Sequence, residues 1–461
     1  MPKILWNKLS MHIAKYKNFY FKLFGLALPI ALQNLISFSI GLTDTVMIGR
    51  LGDNAISGVY MGNQIQMLLQ VFSAGVEGAI LALSAQYWGK RDTKSVARVA
   101  VIGTSFLLTV GVTLTILCSA VPRFVVSLFT SNSQIISTGA DYLGILCLSF
   151  AFFCITQSLV ATMRSVELTK IGFYASVAAL LVNGVLDYAL IFGRLGAPRL
   201  EIRGAAMATL CARAVEALIM IIYVFFINKR LKINLKEFFK LDKELLLSFI
   251  KHGSPIILGQ VIWAVNILFS TAIIGWRNAT GAVTALSIAN TLNNLSYVVT
   301  NGISGALGIM VGKAVGEKDF ERVRVYTKTA QILFLIFGII TGLGIQLVKA
   351  PFISLYKIST VAAKEAARFI NVLSITALGT CYQSVCLFGL LKSGGDMKFV
   401  FKVEACAVFL AVIPLSLIAL RLELGPWIIF ASLKCDQFLK CIPAAIRVNK
   451  YKWIKNIVAP V

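Results

Sequence analysis

The sequence predicts an all-α integral membrane protein of about twelve transmembrane helices, arranged as two six-helix lobes. Three observations carry that expectation: a composition too apolar to coat a soluble globule, apolar runs of bilayer-spanning length, and a sequence that repeats itself after roughly half its length.

The 461 residues are 58% hydrophobic and 14% charged, with mean hydropathy +0.82. A soluble domain carries roughly 45–50% apolar and about 25% charged residues, so this chain lacks the polar surface a globule in water needs. Runs such as Val99–Val121, Leu143–Met163, Ala205–Ile227, Ile332–Val348 and Val400–Leu420 approach the roughly 20 apolar residues that cross a hydrocarbon core as helix. A membrane β-barrel would alternate polar and apolar residues and show no such runs. The basic, amphipathic first residues, with no small-residue cleavage site behind a short apolar stretch, do not read as a cleavable signal peptide.

The repeat is direct. Pro29 and Pro255 open similar segments at 255 − 29 = 226, and Ile48-Gly49 meets Ile274-Gly275 at that offset. One residue later in register, Asn63 meets Asn290, Gly75 meets Gly302, Gly78 meets Gly305, Gly89 meets Gly316 and Asp92 meets Asp319. Met163–Lys170 then meets Leu391–Lys398 at 391 − 163 = 228. A repeat this long is a duplicated lobe rather than a solenoid period. An even number of helices per lobe returns the chain to the same side, which implies pseudo-twofold symmetry about an axis along the membrane normal. The expected division is an N-terminal lobe over 1–227, a cytoplasmic linker over 228–251 and a C-terminal lobe over 252–461. Such a duplicated frame suits alternating access; a duplicated scaffold without transport is the plainer account.

The formal charge of +24 would suggest nucleic acid in a soluble protein, but here it is a topology signal, and no nucleic-acid partner is expected. Lysines and arginines concentrate in alternate loops: Lys3, Lys8, Lys15, Lys17 and Lys22; Lys90, Arg91, Lys94 and Arg98; Lys229 to Lys251; Lys313 to Arg324; and Arg447 to Lys455. The intervening loops hold few, Arg194, Arg199 and Arg203 being the densest exception. The positive-inside rule then places both termini in the cytoplasm of a multi-pass plasma-membrane protein. Nine scattered cysteines without a CxxC pair argue against a disulfide framework or zinc site, and His12 and His252 lie in polar flanks, so no cofactor is expected. Trp6, Trp88, Trp276, Trp427 and Trp453 fall near helix ends, as an interfacial aromatic belt requires.

A carboxylate at a helix centre costs roughly 2.5–3.5 kcal/mol on insertion scales and needs a partner, a cavity or a proton. Six acids lie within apolar runs: Asp44, Glu77, Asp187, Glu216, Glu404 and Asp436. Asp44 belongs to the first helix. Asn183 and Asp187 lie in the fifth, and their i, i+4 spacing puts an amide and a carboxylate on one face. If those helices face one lobe interior, an oxygen-only cluster forms that suits a proton or a hard cation such as Na⁺. At the repeat offsets Asp44 becomes Ser270, Asn183 becomes Ala411 and Asp187 becomes Leu415; the second lobe kept the frame without the acids, which favours function over support. The plainer account has Asp44 capping a turn and Asp187 at the water boundary. Arg213 and Glu216, at i, i+3, read as a neutralising pair. Lys434 and Asp436 do not face each other. Glu77, flanked by glycines, either lines a cavity or lies buried and protonated, and Glu404 reads as interfacial.

The segments DTVMIGRLGDNAISGV, MRSVELTK, NGVLDYALIFG, RGAAMATL and LLKSGGDMK resemble, in order and over nearly the whole chain, those of the multidrug and toxic compound extrusion (MATE) family. The resemblance implies two six-helix bundles about a central cavity, and exchange of amphipathic, mainly cationic compounds for Na⁺ or H⁺. It places a cation site at Asp44, Asn183 and Asp187, with Tyr142 and Thr209 contributing. Some branches carry acids in the seventh and tenth helices; GQVIWAVNILFS and TALGTCYQSVCLFG hold none, which puts a second-lobe ion site in doubt.

The expectation is therefore a monomeric, cation-coupled antiporter in the lipid bilayer exporting small amphipathic molecules. A flippase for a lipid-linked precursor shares the architecture, but the first- and seventh-helix interiors show no arginine or lysine for a pyrophosphate. No HExxH, paired histidine or GxSxG-like site suggests an enzyme.

Overall fold

The computed structural model describes residues 17–231, 242–276, 281–356 and 358–458. Lys3, Lys8, Lys15, His12, Trp6, much of the expected linker including Lys232, Lys236 and Lys240, and Arg277 lie outside the described residues.

Every regular element among the described residues is helical. The chain runs through α1 (Lys17–Ile48), α2 (Asp53–Gly89), α3 (Thr93–Ala120), α4 (Ser133–Leu146), α5 (Ser149–Ser165) and α6 (Lys170–Phe192). There follow α7 (Glu201–Ile227), α8 (Lys243–Trp276), α9 (Ala282–Gly316), α10 (Phe320–Ser354), α11 (Thr360–Leu391) and α12 (Met397–Arg421). Short helices come last: α13 (Pro426–Leu433), α14 (Asp436–Leu439) and α15 (Cys441–Asn449). Among the described residues, ten helices are long and apolar enough to cross a membrane, and α4 with α5, meeting at 51°, make an eleventh broken span. The run of α13 to α15 follows the last of these spans. Backbone groups in hydrocarbon have no water to bond, which is why each span is helix. Large apolar side chains point outward along the spans, Phe21, Ile116, Leu347 and Leu410 among them, as a lipid-facing surface requires.

The helices pack as two compact units: an N-unit, Leu32–Ile257, and a C-unit formed by Met1–Ala31 with Leu258–Val461. Both divisions fall two residues after a helix-interior proline, Pro29 in α1 and Pro255 in α8.

The duplication is visible in the turns. Asp92 accepts the backbone N–H of Ser95 at 3.0 Å and caps α3; Asp319 accepts that of Arg322 at 3.0 Å and caps α10. The residue before each cap is left-handed, Arg91 at φ 62° and Lys318 at φ 59°. A non-glycine residue there is uncommon, so its recurrence at 318 − 91 = 227 marks one turn used twice.

Small residues bring the helices together. A Cβ on Gly58 of α2 would lie 2.9 Å from the Gly139 nitrogen of α4, and one on Gly139 would lie 2.9 Å from the Gly58 oxygen. In the C-unit, a Cβ on Gly342 of α10 would meet the Ser374 carbonyl oxygen of α11 at 2.6 Å, the residue whose hydroxyl donates to Gly342 O at 2.9 Å. In lipid, where apolar surface alone drives no association, such close backbone packing holds helices together. The C-unit core centres on Phe369 of α11 and Phe430 of α13, stacked at 4.4 Å.

Two expectations are corrected. Trp453 is fully buried, not interfacial: its indole N–H donates to Val448 O at 2.8 Å and its ring lies against Gly394. The segment after α15 folds back, with Lys455 N–H donating to Gly394 O at 2.8 Å and Lys455 Nζ 2.7 Å from Asp396. Glu404 is also buried, 4% exposed, rather than interfacial; Lys440, 36 positions away, reaches it from the broken last span at 3.1 Å.

Gly342→Leu should destabilise the C-unit by about 1–3 kcal/mol or more through overpacking, read as a lower Tm and loss of the monodisperse peak in detergent. Gly344→Leu, two residues on with nothing within 4 Å, should leave both unchanged. Removing either cap, Asp92→Ala or Asp319→Ala, should lower stability by about 1 kcal/mol, and the two losses should add.

Candidate functional site

The first, fifth and sixth spans of the N-unit place four polar side chains together. Asp44 lies in α1, one turn before its last residue Ile48, and is half-buried. Asn183 and Asp187 share a face of α6 and are fully buried. Thr209, on α7, is buried and donates to Ala205 O at 3.1 Å and to Asp44 Oδ2 at 3.5 Å. The groups near the Asp44 carboxyl are the side chains of Asp187, Asn183 and Thr209, with the Arg213 guanidinium acting on it electrostatically. Tyr142 of α4 is buried within electrostatic range of both carboxylates; its hydroxyl donates to Asn63 Oδ1 on α2 at 3.2 Å. All five residues singled out in the sequence therefore fall in one neighbourhood.

What distinguishes this cluster is that several unsatisfied polar atoms fall on three neighbouring side chains. Asp44 Oδ1, both carboxylate oxygens of Asp187 and both polar atoms of the Asn183 amide are buried without a hydrogen-bond partner among the described residues. Buried polar groups in proteins are nearly always paired, because desolvation without a partner is unfavourable. The oxygens in this orphaned set are carried on three neighbouring side chains and are of the hard type. Neither plainer account describes them: Asp44 lies inside a helix and caps nothing, and Asp187 is 0% exposed.

One α-helical turn further along, Ile40 of α1, Ala179 of α6 and Ala212 of α7 form a small apolar layer. Beyond Ala212, Arg213 pairs with Glu216 at 2.9 Å, as their spacing predicts. Ser176 of α6 donates to Glu216 at 2.9 Å, and the Arg213 guanidinium stands 5.3 Å from the Phe153 ring centre. This pair is satisfied within the protein. Glu77 has other neighbours: Ser73 donates to it at 2.9 Å, and Arg164 of α5 acts on it electrostatically. Arg164 itself donates to Gln33 Oε1 of α1 at 2.7 Å.

The C-unit repeats the frame with different side chains. A π-helical turn over Val408–Val412 inserts one residue into α12, so the buried counterparts of Asn183 and Asp187 are Val412 and Ser416, both 0% exposed, rather than Ala411 and the 45%-exposed Leu415. Sequence offsets alone had no signal for that bulge. Sequence reasoning also missed a buried ionic cluster around Lys440, and a small water-sized cleft lined by Asn293, Ser296, Tyr297, Thr300, Thr341 and Thr380 among others. Lysine and acid in a span were visible in the sequence, but their pairing across 36 positions was not.

The profile of the MatE family matches residues 29–189 and 255–418, the two halves of the repeat. An uncharacterized transporter YisQ of Bacillus subtilis (strain 168) is 25% identical over 447 residues, covering 95% of this chain and 96% of its own. A probable multidrug resistance protein NorM of Thermotoga maritima is 24% identical over 417 residues, covering 88% of each chain. Among solved structures, the eukaryotic MATE transporter AtDTX14 superposes with a TM-score of 0.84 at 18% identity over 96% of this chain and 98% of its own. A point mutant of the Vibrio cholerae MATE transporter VcmN superposes with 0.85 at 17% identity over 95% and 97%. With both repeat halves matched and the all-helical membrane fold shared, the chain belongs to the MatE family of membrane transporters.

Proposed function

We propose that the chain is a secondary antiporter that exports amphipathic, mainly cationic small molecules by alternating access, in exchange for Na⁺ or H⁺ at Asp44, Asn183 and Asp187, with Tyr142 and Thr209 completing the site. The carrying observation is the set of orphaned oxygens: Asp44 Oδ1, both Asp187 carboxylate oxygens and the Asn183 amide oxygen, buried near one another without a hydrogen-bond partner among the described residues. Two carboxylates in a low-dielectric interior repel, and a positive charge between them removes the repulsion. An arriving cation therefore has a reason to bind and the helices that carry the oxygens a reason to draw together. Relatives named as multidrug resistance proteins support the export of drugs.

In this reading, cation binding draws together α1, α6 and α7, which supply the ligands. Substrate and cation affinities are then linked: whatever one does to the other's binding is returned in equal measure. The lysine pattern supports cytoplasmic termini, with 228–251 as the connection between lobes of a monomer in the plasma membrane.

The test is efflux of a fluorescent cationic dye from proteoliposomes, driven by a Na⁺ gradient at clamped pH and, separately, by a pH gradient without Na⁺. Whichever gradient drives efflux names the ion. Asp44→Asn and Asp187→Asn should each reduce gradient-driven efflux at least about tenfold while the protein still inserts and elutes as one species. Thr209→Ala, losing one weak contact, should shift the cation dependence without abolishing transport. Efflux that survives Asp44→Asn unchanged removes the reading.

A further inference from the structure

We infer that Lys440 is a built-in cation of the C-unit: its ammonium permanently fills the place between two buried carboxylates, so neither Glu404 nor Asp436 takes up a driving ion and any ion exchanged per cycle is carried elsewhere. The statement about the C-unit stands by itself; the statement about the cycle rests on the antiport reading above.

The geometry is that of a closed site. Lys440 Nζ lies 2.8 Å from Asp436 Oδ2 and 3.1 Å from Glu404 Oε1. All three residues are buried, at 5%, 1% and 4% exposure. Asp436 precedes Lys440 by one helical turn, whereas Glu404 comes from α12. Gln437 Nε2 lies 2.9 Å from each Asp436 oxygen, and Gln437 Oε1 accepts from Thr380 and Gln383 of α11 at 2.9 Å each. Lys434, on the same segment, holds its ammonium 5.6 Å from the Phe430 ring centre. Both acids are already met by protein. The N-unit cluster has two carboxylates and, among the described residues, no lysine between them; Arg213, which acts on Asp44 electrostatically, is itself paired with Glu216.

The repeat explains where this layer belongs. After the shorter loop of the second half, Gly204 meets Gly425 and Asn228-Lys229 meets Asn449-Lys450 at 449 − 228 = 221. At that offset Arg213 meets Lys434 and Glu216 meets Gln437, while Ser176 meets Glu404 at 404 − 176 = 228. The Lys440 cluster is thus the counterpart of the self-neutralised Arg213–Glu216–Ser176 layer, not of the Asp44 layer. Counterparts of the Asp44 layer are Ser270, Val412, Ser416 and, for Thr209, Phe430, whose ring is stacked on Phe369. Val412 and Phe430 are apolar, and the two serine hydroxyls donate within their own helices, Ser270 to Asn266 O at 2.7 Å and Ser416 to Val412 O at 2.5 Å. A lysine paired this deeply stays put, since separating the ions leaves uncompensated charge in a low-dielectric interior.

Lys440→Ala leaves two acids facing a gap of ammonium size. Its Tm in detergent should fall by roughly 5 °C or more, and methylammonium chloride, but not tetraethylammonium chloride, should recover at least half of the loss. The charge-free triple variant E404Q/D436N/K440M should stay within a few degrees of the parent and keep the parent's ratio of cation to substrate flux. A Lys440→Ala protein with unaltered Tm and no response to methylammonium overturns the inference. So does a folded triple variant whose flux ratio changes; if Lys440→Ala does not fold, the triple variant alone decides. Because the amine response is read without transport, it can fail while antiport holds, or hold while antiport fails.

Discussion

Hydrocarbon cannot solvate a polar group, and the whole structure follows from that constraint. Every backbone N–H and C=O in the spans must be bonded within its own segment, so the regular structure among the described residues is helical throughout. Every ionisable side chain carried into a span must find a partner or serve a charge that arrives from outside. The chain solves the second problem in different ways in different places: Arg213 with Glu216, and Lys440 with Glu404 and Asp436, are closed pairs, whereas Asp44, Asn183 and Asp187 are left open. That set gathers orphaned atoms of two carboxylates and an amide in one place, which makes it the natural place to look for transported charge.

The duplication turns that contrast into an internal comparison. Both halves keep the same capped turns, with Asp92 and Asp319 making the same bond at the same distance. Both keep a self-neutralised layer one step along the corresponding spans. They part company at the layer that holds Asp44 in one half and Phe430, stacked on Phe369, in the other. A common frame with one divergent layer separates what the fold needs from what the site needs, and it does so without reference to any other protein.

The closed layers also have a mechanical sense. Buried ion pairs contribute little net stability, because desolvation offsets much of the attraction, but they are strict about geometry. In the C-unit, Lys440 ties α12 to the broken last span, and Gln437 ties that span to α11. Asp396 joins Arg447 and Lys455 at the far end of the same assembly, both at 2.7 Å. These polar ties connect helices that also rely on small-residue packing such as that at Gly342, and they pin the register of a span that is otherwise interrupted twice.

By itself, the sequence determined the solvent the protein lives in, the helical class, the duplicated frame and the identity of the open acids. Each depends on local facts: apolar run length, repeat offsets, and a carboxylate standing where hydrocarbon does not accept one. Periodicity alone put Asn183 and Asp187 on one face. Only the tertiary structure decided which charges are answered. That Asp44 on α1 meets Asp187 on α6, that Glu404 is neutralised by a lysine 36 positions away, that Trp453 is buried under a returning tail rather than lying at the interface, and that a π-turn shifts the register of α12 by one residue are all long-range or geometric outcomes. Pairing energy depends on distance in space, and a one-dimensional pattern carries no distance between segments; that is why the acids could be named from the sequence and their partners could not.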